Sequence, residues 1–197
     1  MSSIRVRPVR SASERKVFLT FPWRIYCHDP LWVPPLLPER AKVIDPQRGS
    51  FFKRGKADFF IAWRDGEPVG TICAAEDPPT NEFRNKRECL FGFFEYIEDE
   101  DVAERLIRQV IDWAKERDLN ALFGPFNLDY EDSYGVLLEG RDRPPALLCG
   151  HSPPYYQNFM DQLGFQPARG DNLAFEIAPD APGLPRLSRL ADRLRKR

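Results

Sequence analysis

LFGFFEYIEDEDVAERLIRQVIDWAKERDLNALFGPF, residues 90–126, decides the fold. Its first segment, Leu90–Ile97, is apolar on both faces apart from Glu95, the composition of a strand covered on both sides. From Val102 to Asp118, Val102, Ala103, Leu106, Ile107, Val110, Ile111 and Ala114 recur at helical spacing, with Glu104, Arg105, Arg108, Asp112 and Lys115 opposite. Ala121–Phe126 is a second apolar strand. Strand, helix and strand in direct succession form a βαβ unit, so these two strands are expected to be parallel.

Upstream, Phe59–Trp63 and Val69–Ala74 flank Arg64-Asp65-Gly66-Glu67-Pro68. The Asp-Gly pair takes up positive φ cheaply, which predicts an antiparallel hairpin. A loop is expected from Glu76 to Glu88. At the N-terminal end, Ile4–Val9 alternates like a short strand, and Ser11-Ala12-Ser13-Glu14 is a capping box. The helix it opens is expected to reach about Tyr26, interrupted at Pro22. Trp32-Val33-Pro34-Pro35-Leu36 is extended by its prolines, and a short helix follows over Leu37–Val43. Downstream, a helix from Pro154 to Leu163 closes at Gly164, and Asn172–Ala178 is expected to be a last strand. The fold class is α/β (α+β), with a mixed sheet.

At 197 residues and 42% apolar, the chain can bury a substantial core as one domain. No apolar run is long enough to span a bilayer, and the N-terminus has no apolar signal stretch, so a cytoplasmic protein without membrane partners is expected. Cys27, Cys73, Cys89 and Cys149 are scattered and read as packed free thiols. With His28 and His151 the only histidines and no C-x-x-C pair, no metal site is expected. The net charge of −1 divides into +5 from Arg186 to Arg197 and −6 over the rest, so the body carries no basic patch for nucleic acid.

The hairpin at Asp65-Gly66, the strand Leu90–Ile97, the helix Val102–Asp118, the strand Leu122–Phe126 and the string from Tyr155 to Phe165 occur in an order that resembles the GNAT superfamily of acyl-CoA N-acyltransferases. Tyr155–Phe165 is similar to that family's helix ending in Gly-Phe. Trp32-Val33-Pro34-Pro35, Phe91-Gly92-Phe93-Phe94-Glu95, Gly124-Pro125-Phe126 and Pro154-Tyr155-Tyr156 are similar to stretches in the first half of bacterial tandem-GNAT proteins about twice this length. The resemblance implies a mostly antiparallel central sheet with one parallel βαβ crossover, flanked by helices. It implies a GNAT-like domain over residues 1–180 and a basic helical tail or linker over 181–197, leading toward a second half.

The activity so implied is acyl transfer from acetyl-CoA or another acyl-CoA to a small-molecule amine. The implied partner is a second GNAT-like domain or a second copy of the chain. The family binds acyl-CoA where the central strand meets the long helix, which places Tyr96, Ile97, Ala103 and Asn127 at the cofactor. A helix N-terminus offers free N–H groups to phosphate, and glycine allows close approach. In that register this chain has Glu98-Asp99-Glu100-Asp101-Val102-Ala103, of which only Ala103 fits. Each carboxylate about 4 Å from a phosphate charge costs on the order of 4 kcal/mol at an effective dielectric near 20. The family's acid register, four residues before Gly164, holds Met160. Tyr155 and Tyr156, one turn earlier, are the substitute acids, and Glu95 is the candidate base. Asp129, Tyr130 and Tyr134, in the loop after the second parallel strand, suit a cationic or amine substrate. The other reading is a non-catalytic GNAT-like module, binding substrate or serving as structural partner to a catalytic second domain.

Overall fold

The computed structural model describes residues 3–129, 132–146, 149–168, 170–175, 178, 180 and 184–195. β1 (Arg5–Pro8), β2 (Lys56–Arg64), β3 (Glu67–Glu76), β4 (Glu88–Tyr96) and β5 (Ala121–Phe123) form one sheet in sequence order. All neighbours are antiparallel except β4 and β5, which are parallel. Asp65 (φ 51°) and Gly66 (φ 87°) turn β2 into β3, both central residues being left-handed as a type I′ turn demands.

Both faces of the sheet are covered. Alternate residues of β2, Phe60 and Ala62 against Phe59 and Ile61, enter two separate cores. On the first face lies α5 (Glu100–Lys115), which buries Val102, Ala103, Leu106, Ile107, Val110, Trp113 and Ala114. α6 (Tyr155–Gln162) joins it through Tyr156 and Met160. The second face packs Phe18 of α1 (Ala12–Thr20), Ile44 after α3 (Leu37–Val43), and Phe51.

The capping box forms as expected, with Glu14 N donating to Ser11 Oγ at 3.1 Å and Ser11 N to Glu14 Oε2 at 2.9 Å. The helix breaks after Thr20, and α2 (Pro22–Ile25) begins on the proline. α6 ends with Phe165 N donating to Met160 O and Gly164 N to Asp161 O, Gly164 having φ 82°. Cys73 and Cys89 are packed, whereas Cys27 and Cys149 are exposed; all four are free thiols.

Two expectations fail. The segment between β3 and β4 is not a plain loop: it holds α4 (Pro78–Arg84), capped by Asp77, whose carboxylate accepts from Thr80 N. The sequence of α4 hides it, since it has no apolar stripe and its one large apolar residue, Phe83, is 90% exposed. Of the expected last strand, Asn172–Phe175 and Ala178 are described and are irregular, with Leu173 and Phe175 exposed, and residues 176 and 177 lie outside the described residues. β5 is only three residues long, so the sheet edge offers little ladder to extend. Beyond it, α7 (Leu184–Arg195) exposes Leu187 and Leu194.

Candidate functional site

β4 carries a bulge at its centre. Thr71 pairs with Glu95 but Cys73 with Gly92, so β4 uses one residue more than β3 over this interval. Phe93 takes φ 47°, and its carbonyl accepts from Thr71 Oγ1 at 3.0 Å. Cys89 and Phe91 face α5 before the bulge, and Phe94 and Tyr96 face it afterwards. The parity of the strand has switched. Without the bulge, Glu95 would share the face of Phe91 and enter the α5 core; with it, Glu95 projects to the other face.

There Glu95 meets two tyrosines. Tyr156 donates its hydroxyl to Glu95 Oε2 at 2.8 Å, and Tyr26 donates to the same oxygen at 3.0 Å. Tyr26 is buried at the end of α2 and stacks on Trp32 at 5.0 Å. Burial pushes the Glu95 carboxyl up to about 7, against the two hydroxyls and the nearby Arg40, which favour its ionised form. Arg40 itself pairs with Asp132 and lies over the Phe93 ring at 5.4 Å. Burial, reinforced by the Glu95 charge, raises Tyr26 and Tyr156 well above the ordinary tyrosine range. At neutral pH they therefore keep their protons and donate hydrogen bonds.

Beyond the bulge, the outer edge of β4 is taken by α6. Ile97 N bonds Val69 O toward β3, so the main-chain groups of Tyr96 point away from β3. Tyr96 N donates to Tyr156 Oη at 3.1 Å, and Tyr155 donates to Tyr96 O at 2.6 Å. The Tyr96 ring stacks on Tyr156 at 4.4 Å. Asn127 secures the bulge, accepting from Phe93 N at 2.6 Å and donating to Ser133 Oγ at 3.0 Å.

Of the expected residues, the structure thus gathers Glu95, Tyr155, Tyr156 and Tyr96 around one strand end, with Asn127 at the bulge. Ile97 is partly buried beside them. Ala103 is wholly buried against the sheet, and Met160 lies in the same core. Tyr134 is exposed and bridges to Phe126; Asp129 accepts from Asp132 N through its carbonyl. Tyr130 lies outside the described residues. Tyr26, Arg40, Asp29 and His151 escape sequence reading, because loops and short helices carry no periodic signal that marks a site.

The start of α5 does not fit a diphosphate. Asp99 is the N-cap: its Oδ1 lies 3.4 Å from Val102 N and its Oδ2 accepts from Arg64 at 2.7 Å. Of the donors a phosphate would need, Val102 N and Ala103 N are already engaged by Asp99, and Glu98, Glu100 and Asp101 stand exposed beside them. Among the described residues, no group of three or more His, Cys, Asp or Glu side chains could hold a metal, and no helix is long and apolar enough to cross a membrane.

The family model of the acetyltransferase (GNAT) family matches residues 23–129. The bacterial ceramide synthase of Caulobacter vibrioides is 33% identical over 169 residues, covering 85% of this chain and 44% of that protein. Protein YghO of Escherichia coli is 32% identical over an alignment of 198 residues, covering 98% of this chain and 49% of that protein. The chain spans about half the length of the curated relatives it matches. Among solved structures, a predicted acetyltransferase from Clostridium acetobutylicum with acetyl-CoA aligns with a TM-score of 0.53 at 12% identity, over 89% of this chain and 96% of that one. A tandem GNAT protein from the clavulanic acid biosynthesis pathway aligns with a TM-score of 0.51 at 14% identity, over 82% of this chain and 43% of that one.

Proposed function

Since this chain belongs to the acetyltransferase (GNAT) family, we propose that it serves acyl transfer from an acyl thioester to an amine, and that it binds and deprotonates the amine. The observation that carries this reading is Glu95: a carboxyl raised to about 7, aimed by a bulge at a polar cluster, with Oε2 held by two hydroxyls. A base of that strength takes a proton from an ammonium group and passes it on near neutral pH. Tyr26 and Tyr156 fix the carboxylate, so only Oε1 is left to meet substrate. Tyr155 holds the strand end beside it through the Tyr96 carbonyl.

The name of the Caulobacter relative narrows the acceptor. A ceramide is the amide of a long-chain amino alcohol, and a cationic head fits a site whose inward group is a carboxylate. Asp129, Tyr130 and Tyr134 remain the residues proposed from the sequence to recognise the amine. The acyl donor is acyl-CoA as substrate, its diphosphate held elsewhere than at α5, in keeping with a chain about half its relatives' length. The capped, acidic start of α5 favours a second reading as well, in which residues 1–180 bind the amine for a catalytic partner domain and the basic tail over 181–197 leads to it.

Incubation of the chain with palmitoyl-CoA and a long-chain primary amine, with product read by mass spectrometry, tests the first reading. Amide formation is expected, with Glu95→Gln lowering kcat by about a hundredfold or more. Amine binding by calorimetry without turnover selects the second reading. Absence of both binding and turnover defeats the two together.

A further inference from the structure

A second polar pair lies against the same tyrosine. Asp29 Oδ2 is 2.6 Å from His151 Nε2, and the imidazole side chain is 7% exposed against 35% for Asp29. Leu31 N donates to Asp29 Oδ1 at 2.9 Å, which fixes the carboxylate plane. The His151 bond is the largest of the effects that hold the Asp29 carboxyl below its ordinary range. An ionised carboxylate can only accept, so Nε2 carries a proton toward Asp29, and in the neutral tautomer the ring's lone pair sits on Nδ1. That Nδ1 is buried and has no hydrogen-bond partner among the described residues. A buried ring nitrogen without a partner is costly, and buried polar groups in folded proteins are nearly always paired.

The imidazole borders the Glu95 cluster. Its ring lies 5.8 Å from that of Tyr26, and the Tyr26 hydroxyl reaches both Glu95 Oε2 and the His151 carbonyl, the latter at 3.1 Å. Acylation of an ammonium group removes two protons from nitrogen. As the C–N bond forms and the C–S bond of the thioester breaks, one proton ends on the departing thiolate and the other leaves to solvent. Glu95 can carry one of them at a time.

We propose that His151, held by Asp29, is a second proton-accepting point of the site and receives the ammonium group of the acceptor at Nδ1. This rests on the amine-acylation reading. Nδ1 accepts one N–H of the ammonium, Glu95 Oε1 another, and the nitrogen is held between two acceptors. Asp29 acts as the positioning residue, fixing the tautomer and the ring plane.

Histidine-selective ¹⁵N NMR tests the binding half without turnover. In the free protein at pH 8, His151 should show a protonated Nε2 and a bare Nδ1, and dodecylamine should shift Nδ1 toward a hydrogen-bonded position; His151→Gln identifies the signal. The variant also separates function from scaffolding, because the glutamine amide nitrogen occupies the place of Nε2 and keeps the tie to Asp29. It should melt within about 2 °C of wild type and lose kcat by about a hundredfold. A protonated Nδ1, an Nδ1 indifferent to dodecylamine, or turnover by His151→Gln within twofold of wild type overturns the proposal. If Nδ1 responds to the amine but wild type forms no amide, the amine site stands and the acyltransferase reading falls.

Discussion

Glu95 shows how one side chain binds chemistry to stability. Raising its carboxyl from 4.5 to about 7 costs the ionised fold on the order of 3 kcal/mol. The folded value exceeds the unfolded one, so the stability of the protonated fold is fully present below pH 4.5 and is lost as pH rises from there through about 7, where the whole cost applies. Glu95→Gln, neutral throughout, should melt together with wild type at about pH 4 and several degrees higher at about pH 8 by calorimetry. Identical pH dependence in the two proteins would place the carboxyl in water. Glu95 was legible as a candidate base because a lone acid stood in an apolar strand. Its partners were not: Tyr26 lies 69 residues away and His151 reaches it only through Tyr26.

The bulge in β4 is the element that makes the site. Gly92 permits it, since a Cβ there would lie 2.1 Å from Phe126 O. Phe126 N also bonds Phe91 O at 2.7 Å, so the chain after β5 and β4 are pressed together at this point. Gly92→Ala should force them apart and cost about 1–3 kcal/mol, read as a lower denaturant midpoint at unchanged slope. It should also disturb Glu95, which the bulge aims. Periodicity revealed the strand but not the extra residue, because Phe93 and Phe94 are both apolar and either parity looked equally good. α5, with its single wide stripe, was legible almost to its ends. The last strand was misread because Leu173 and Phe175 carry the right composition and meet no sheet.

At the scale of the molecule, two cores lie on the two faces of the sheet, and among the described residues α7 contributes no side chain to either. Deletion of residues 181–197 should therefore leave the melting temperature within about 2 °C of wild type, in keeping with a boundary near residue 180. A larger drop would show that the tail packs on the body. The sequence by itself determined most of the elements, the hairpin, the parallel crossover and the acidic start of α5, since each follows from local propensity, turn chemistry and the period of apolar residues. Only the tertiary structure decided which face Glu95 uses and what surrounds it. Local rules count residues along one strand, whereas a bulge is fixed by pairing with its neighbour, and a buried cluster drawn from α2, β4, α6 and two loops exists only once the chain has closed around it.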